Sequence, residues 1–186
     1  LMTIEWQNRG INMWTIDDGA VTLVEGVTQY DLPADTIDLL EQVIRTNSGN
    51  TTTQSDLTIN RISVSTYATI PNKLTRGRPI QVWVERLAAN PKFSVWPVPD
   101  SGDYLFKYYR MRRIQDAGAG VETADMSFRF LPCLVAGLAY HIAMKVPELM
   151  PRVQMLKTVY DEQFEMAAGE DREKTSAMFT PRVARI

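Results

Sequence analysis

The chain contains the run Phe130-Leu131-Pro132-Cys133-Leu134-Val135-Ala136-Gly137-Leu138-Ala139-Tyr140-His141-Ile142-Ala143-Met144-Lys145-Val146. Large apolar residues recur in it at intervals of three and four, which is the period of a helix face. Alanine and glycine lie between them, so a second helix can approach closely. Pro132 is tolerated only in the first turn of such a helix, and Pro147 stops it. Residues 130–146 are therefore predicted to form a helix that packs against another.

A second helix is predicted after Pro147. Five residues at helical spacing form its apolar stripe: Val153, Leu156, Tyr160, Phe164 and Ala167. Gly169 is predicted to end it, so that residues 121–169 form a helical hairpin. Residues 1–16 contain the end of a first helix, which completes the bundle and has a predicted left-handed C-terminal cap at Gly10.

The chain between these helical parts, residues 17–120, has the pattern of a β-rich lobe. Short β-prone runs recur at a spacing of about ten residues, as they do in sandwiches and barrels. Two of these runs, 21–24 and 27–30, flank Glu25-Gly26 and predict a hairpin. A short helical turn is predicted over 63–70. The expected fold is α+β, a helical bundle with an inserted antiparallel β-sandwich or barrel-like lobe and an extended C-terminal tail.

Composition excludes several classes of protein. The 186 residues suffice for one domain or two small lobes. Twenty basic and 22 acidic side chains give a net charge of −2, which excludes a generally basic nucleic-acid coat. One cysteine excludes an internal disulfide framework, and one histidine removes most metal and triad chemistry. No apolar run approaches the roughly 18 residues that cross a bilayer, so no membrane partner is expected.

Charge is distributed unevenly along the chain. Residues 10–44 contain seven acids and no Lys or Arg, and residues 104–114 contain four bases and no acid. Two solvated surfaces would explain this pattern. Alternatively, the acidic patch of one subunit meets the basic patch of the next, as a head-to-tail ring requires. The lateral contacts would then use Asp17, Asp18, Arg110, Arg112 and Arg113. By itself, Asp17-Asp18-Gly19 is typical of a turn.

Residues 104–113 interleave aromatic and basic side chains. On a strand, one side carries Tyr104, Phe106, Tyr108, Arg110 and Arg112, and the other carries Lys107, Tyr109 and Arg113. We favour a sandwich strand with one buried aromatic face and a charged outer end. The alternative is a nucleic-acid-binding module in which the aromatics stack on single-stranded bases.

Motifs of enzymes and of cofactor sites are absent from the sequence. No catalytic, cofactor-binding or metal-binding residues are predicted. His141 and Cys133 are expected to be structural residues of their helix. Three acids on the last helix, Asp161, Glu162 and Glu165, are expected to form a solvated face.

The last residues, 170–186, open with a charged cluster and lose periodicity. Their scattered apolar and basic residues are Met178, Phe179, Arg182, Val183, Arg185 and Ile186. This segment is either a frayed terminus or a docking peptide that orders on a partner.

Several segments, taken in order, have a familiar pattern: Trp6–Thr15, Gly26 with Tyr30–Pro33, Tyr67 with Pro71, Lys73 and Gly77–Pro79, Val95–Pro99, and Phe130–Pro132 with Gly137–Tyr140 and Tyr160. Together they resemble the head-to-tail adaptors of tailed phages, also called tail-accessory, packaged-DNA-stabilisation or tail tubular A-type proteins. The resemblance spans nearly the whole chain, and the order and spacing of the pieces make it specific.

The resemblance implies a structural virion connector at the portal vertex. Such adaptors form a ring, commonly of twelve copies, below the portal protein after packaging. Their C-terminal tails reach the portal, their β-lobes receive the next tail or nozzle component, and DNA passes through the ring without sequence specificity. Assembly would take place in the host cytoplasm. A tail-associated cell-wall hydrolase is a further alternative, but it needs two opposed carboxylates in a cleft.

Overall fold

The computed structural model describes residues 2–115 and 123–171. The chain forms two compact units. The β unit is Thr15–Gln115, and the helical unit contains the described parts of Leu1–Trp14 and Asp116–Ile186. The described residues form four α-helices and two sheets, so the fold is α+β, as predicted.

The β unit contains two four-stranded sheets. The first has the order β1 (Ile16–Thr22), β8 (Leu105–Arg112), β3 (Thr36–Thr46), β4 (Ser55–Thr58). The second has the order β2 (Gln29–Asp31), β7 (Lys92–Trp96), β6 (Gln81–Glu85), β5 (Asn60–Arg61). All neighbours are antiparallel except β5 and β6, which are parallel. Within the described residues neither sheet closes into a barrel. A short helix, α2 (Val64–Thr69), lies where a helical turn was expected.

Apolar side chains from both sheets meet in a single core. Phe93 of β7 stacks on Phe106 of β8 with ring centroids 4.3 Å apart. The buried residues of this core are Leu23, Leu32, Leu39, Ile44, Ile59, Val82, Val84, Phe93, Val95, Phe106 and Tyr108. Because one face of each sheet points into this core, buried and more exposed residues alternate along strands such as β6 and β8.

The predicted hairpin of 21–24 with 27–30 is wrong. Its turn exists, because Val27 N–H donates to the Val24 carbonyl at 3.1 Å and Gly26 has a φ of 78°. However, the chain crosses between sheets at this turn, since β1 pairs with β8 and β2 pairs with β7. The turn is held by the Tyr30 hydroxyl, which accepts a hydrogen bond from Val24 N–H at 2.9 Å. Hydrogen bonds between the two runs as paired strands do not hold it.

The turn predicted at Asp17-Asp18-Gly19 is also wrong, because these residues lie inside β1. Gly19 stands opposite Tyr108 in the register of β8. A Cβ atom at Gly19 would lie 2.5 Å from the Tyr108 ring, so the missing side chain lets this ring lie over the strand. Ladder pairing and core packing here override the local preference of Asp and Gly for turns.

The described part of the helical unit contains the α-helices α1 (Met2–Asn8), α3 (Leu131–Ala143) and α4 (Val153–Glu170). The cap predicted at Gly10 is confirmed, because its φ is 93°. Gly10 N–H donates to the Gln7 carbonyl at 3.0 Å, and Ile11 N–H donates to the Trp6 carbonyl at 3.1 Å. These two bonds form a Schellman motif, and Ile11 and Trp6 supply its apolar contact.

Helix α3 has Pro132 in its first turn, as predicted, and a 3₁₀ segment from Pro147 to Arg152 leads to α4. The prediction that Gly169 ends α4 is wrong by one residue, since the helix runs through Glu170. Two contacts hold this end in place. Arg129 pairs with Glu170 at 2.9 Å, and the Asn12 N–H donates to Asp171 Oδ2 at 2.9 Å.

Candidate assembly interface

The predicted acidic and basic contact residues meet within one subunit, at the end of the inner face of β8. Arg110 donates to Asp35 at 2.5 Å and also pairs with Asp17 at 3.4 Å. Arg112 Nε lies 3.0 Å from the same Asp17 carboxylate. The side chains of Arg110 and Arg112 are only 12% and 16% exposed. Much of the charge on both stretches is therefore neutralised internally.

Register explains this cluster. β1 and β8 are antiparallel neighbours, so Asp17 stands directly opposite Arg110. Asp35 reaches the same guanidinium from the residue before β3. The hydrogen bonds from Arg110 hold the pKa of Asp35 below its usual value, against the effect of its partial burial. Sequence reasoning counted Asp35 among the acids but did not single it out, because only the sheet order shows that β8 lies between β1 and β3.

The other two predicted contact residues are exposed. Asp18 and Arg113 lie on the surface of the β unit, and no ion-pair partner is found for either among residues 2–115 and 123–171. They are the members of the predicted lateral set that remain available to a neighbour.

The favoured interpretation of the aromatic-basic strand is confirmed. Phe106 and Tyr108 are buried in the sandwich core, and the two arginines that follow on the same face form the charged end. Only Lys107 and the exposed Tyr109 face outwards from the middle of β8. A stacking platform for single-stranded bases needs several exposed aromatics. The strand lacks them, which weighs against the nucleic-acid-binding alternative.

Two clefts of the β unit bear on the hydrolase alternative, which needs two opposed carboxylates. A cleft of about 510 Å³ beside α2 and β6 is lined by one carboxylate, Glu85, which accepts from Gln29 at 2.8 Å. A smaller cleft of about 90 Å³ on the first sheet contains Asp18, Glu41 and Asp56. Two hydrogen bonds from Arg45 lower the pKa of Asp56, the opposite of what a general acid requires.

The core of the helical unit is built from aromatic and small side chains. Inside this core, the buried Trp6 indole N–H donates a hydrogen bond to the Tyr160 hydroxyl at 3.0 Å. Burial raises the pKa of Tyr160. At Gly137 an added Cβ would collide with Met2 and lie 2.9 Å from the Tyr160 ring. Small residues on α3 therefore let α1 and α4 pack against it, as predicted.

The lone cysteine lies in this core. Cys133 is 1% exposed, and burial raises the pKa of its thiol to about 11. The prediction of a small core residue is confirmed. His141 is half-buried against Tyr140 and Tyr160, with Nε2 3.8 Å from a carboxylate oxygen of Glu5.

Leu134 and Tyr140 of α3 pack against this core, but other large residues of the helix face away from it. Four of them, at spacings of four, three and four, form a continuous exposed stripe that we call the α3 stripe. They are Leu131 (48% exposed), Val135 (66%), Leu138 (46%) and Ile142 (56%). The sequence periodicity had indicated a core-facing apolar stripe, so this exposure is the feature that sequence reasoning missed.

A second exposed row runs along α4. It contains Met155, Val159 and Met166, with Glu162 between the last two, and we call it the α4 stripe. Large contiguous apolar patches mark interaction sites, whereas single exposed apolar residues are normal. Among the described residues, the exposed row on α3 is uninterrupted, while Glu162 interrupts the row on α4.

The tail residues Met178, Phe179, Arg182, Val183, Arg185 and Ile186 lie outside the described residues. Within residues 2–115 and 123–171, no cluster of three or more His, Cys, Asp or Glu side chains is placed to hold a metal ion. No helix in the same ranges is long and apolar enough to cross a membrane.

Comparison with known proteins gives one family. The family model described as SU10 adaptor protein matches residues 3–185, nearly the entire chain. No match is found among curated proteins. The matched family is one of phage adaptors, which confirms the predicted resemblance at that level, while the head-to-tail and tail-accessory assignment stays a prediction.

Proposed function

The chain belongs to the SU10 adaptor protein family, and we propose that it is a head-to-tail connector of a phage virion. The family makes it a structural component of a phage particle. In the proposed role, copies of the chain form a ring below the portal protein, with twelve as the expected number. The ring helps to retain packaged DNA and receives the tail.

The family match over residues 3–185 carries this proposal. Two features of the fold support it. Ion pairs within the β unit stabilise it, and the helical unit has exposed apolar side chains. A connector must combine a stable body with surfaces that bind other chains, and such a role needs no catalytic residues or cofactor.

We assign the partners by unit. The C-terminal segment, with Met178, Phe179, Val183 and Ile186 as anchors and Arg182 and Arg185 as charge partners, docks on the portal. The β unit receives the downstream tail or nozzle protein. DNA passes through the lumen without sequence specificity. The location is the portal vertex, after assembly in the host cytoplasm.

For the charged lateral contact between neighbouring copies, we propose fewer residues than the sequence predicted. Arg110 and Arg112 pair with Asp35 and Asp17 inside the subunit, so Asp18 and Arg113 are its best placed members. Asp18→Lys should weaken ring formation on a portal and reduce its salt sensitivity. Asp17→Lys would also remove an internal partner of Arg112, so it cannot separate assembly from folding.

Electron microscopy of the purified protein, alone and with the portal of the same phage, tests the proposal. We expect monomers or weak oligomers alone and a closed ring on the portal, because a template supplies the effective concentration that a weak lateral contact lacks. A stable ring at micromolar concentration without portal, seen by light scattering, would contradict template-dependent assembly. A protein that never binds the portal would contradict the connector role.

Truncation tests the tail. Because Glu170 and Asp171 are held by Arg129 and Asn12, the chain should be cut after Asp171 and not after Gly169. The truncated protein should keep its melting temperature and lose most of its portal binding. Equal binding by the truncated and full chains would place the portal contact elsewhere.

A further inference from the structure

A cleft beside the start of β3 brings two arginine side chains together. It has a volume of about 230 Å³, and Arg86 and Arg113 are part of its lining. The one carboxylate in the lining, that of Asp35, is already paired with Arg110. We call this site the arginine cleft. Its two arginines can bind an anion from outside the chain.

The ion pairs around the arginine cleft leave positive charge over. Arg86 lies 2.8 Å from Asp38, but Arg61 lies 2.6 Å from the same carboxylate, so two guanidinium groups share one negative charge. Arg113 is exposed, and none of the described residues forms an ion pair with it. Its backbone N–H donates to the Asp35 carbonyl at 2.8 Å, which holds the residue at the cleft.

The rest of the lining favours an anion that is carried by a protein. Ile37 and Leu87, which are 40% and 50% exposed, line the same cleft. A carboxylate on an apolar segment would bury this surface, whereas a phosphate backbone would bring only polar atoms to it. Residues 15–115 contain eleven bases and eleven acids, so the β unit also lacks the excess of positive charge that attracts DNA.

The α4 stripe has the matching combination of negative charge and apolar surface. Glu162 and Glu165 are exposed, and neither forms an ion pair within the described part of the chain. Val159 and Met166, which are 41% and 59% exposed, lie three and four residues from Glu162 and therefore on the same face. The carboxylate that interrupts this apolar row is thus the group that a basic, partly apolar cleft would recognise.

We propose that the arginine cleft of one copy binds the α4 stripe of the next copy, with Glu162 placed against Arg113. Glu165, one turn further along α4, then meets Arg86. The inference rests on the proposed connector function and specifies which surfaces join its subunits. Because the cleft and the stripe are different surfaces, the contact is heterologous and generates a ring or an open chain. Each buried carboxylate meets a guanidinium group, so no charge is left unpaired.

Reversal of charge on each side, followed by a charge swap, tests the contact. Arg113→Glu places two carboxylates together, and Glu162→Arg places two guanidinium groups together. Each single variant should weaken self-association about tenfold, measured by sedimentation equilibrium at high protein concentration. The double variant, Arg113→Glu with Glu162→Arg, restores opposite charges and should associate within about threefold of the parent. On the portal, electron microscopy should show fewer complete rings for the single variants and recovery for the double variant.

Arg78→Glu is the matched control. Arg78 is an exposed arginine of the β unit that does not line the cleft, and no ion-pair partner is found for it in residues 2–115 and 123–171. Its reversal changes the net charge as much as Arg113→Glu does, yet self-association should change less than about twofold. All variants should keep the circular dichroism spectrum and melting temperature of the parent, because the reversed side chains are exposed.

Each other outcome overturns the proposal. Single variants that associate and assemble as the parent does would exclude the contact. A double variant no better than the single ones would show that Arg113 and Glu162 do not meet. If Arg113→Glu loses affinity for a fluorescent DNA duplex while self-association is unchanged, the cleft binds phosphate and not a second copy.

The same experiments separate this pairing from the connector function. If the parent and all variants form rings on the portal equally well, the connector function stands and only the pairing fails. If the parent never binds the portal, the connector function fails, while rescue of self-association by the double variant would still support the pairing.

Discussion

The β unit and the helical unit both bury aromatic side chains, but the helical unit also buries the smallest residues of α3. In the β unit, large apolar residues such as Phe93 and Phe106 fill the space between two sheets. In the helical unit, Gly137 and Cys133 face the core while Val135 and Ile142 face outwards. Both units expose large apolar side chains, among them Leu74 and Val64 in the β unit. In the helical unit, however, four of them form an uninterrupted row along α3.

The largest expected effect comes from the aromatic centre of the helical unit. Trp6→Ala removes a fully buried ring and its hydrogen bond to Tyr160. We expect a loss of about 3–5 kcal/mol in the free energy of unfolding, measured by urea denaturation followed by near-UV circular dichroism. Trp6→Phe keeps an aromatic ring and should lose much less. Equal losses for the two variants would mean that packing of the indole contributes little.

A smaller loss is expected where the helices approach most closely. Gly137→Val inserts carbons into the space occupied by the Met2 side chain and the Tyr160 ring. Overpacking of this kind costs about 1–3 kcal/mol, which thermal denaturation should detect. Leu138→Val, one residue along but exposed, is the control. A melting temperature that is unchanged by Gly137→Val would show that the small-residue face is not needed.

The ion pair between Arg110 and Asp35 allows a matching test of the β unit. Asp35→Asn weakens the hydrogen bonds from Arg110, with an expected loss of about 2 kcal/mol at pH 7. Because the pKa of Asp35 is lowered by folding, its stabilisation is present above its usual value near 4 and is lost as the pH falls below it. The difference between variant and parent, measured by urea denaturation, should therefore shrink below pH 4. A constant difference would contradict this linkage.

The smallest effect is expected on the α3 stripe. Val135→Ser removes apolar surface that is 66% exposed, so the stability of the free protein should change by no more than about 0.5 kcal/mol. A large loss of stability would indicate that the stripe is covered within the chain, and the contrast between the two units would then fail.

Local rules were sufficient where a single residue type decides the conformation. Gly10 predicted the left-handed cap of α1, and Pro132 predicted the first turn of α3. The end predicted at Pro147 was three residues too late, because α3 ends at Ala143 and Pro147 begins a 3₁₀ segment. The alternation in residues 104–113 correctly separated a buried aromatic face from a charged end. These features depend on backbone geometry or on the period of one strand, so the neighbours of the element do not change them.

Pairing and orientation depend on partners that are distant in sequence. Asp17-Asp18-Gly19 has the composition of a turn, yet it forms a strand because β8 pairs with it and Tyr108 covers Gly19. Runs 21–24 and 27–30 flank a true turn but join different sheets.

The sequence alone determined that the chain is α+β, with a β-rich middle between helical parts and a resemblance to phage adaptors. Only the tertiary structure decided that opposite charges of β1 and β8 neutralise each other within one subunit. It also decided that α3 buries Cys133, Gly137 and Ala143 and leaves a row of four large apolar residues exposed. Helical periodicity predicts that a face is apolar, but close packing against Tyr160 selects the face with the smallest side chains for the core.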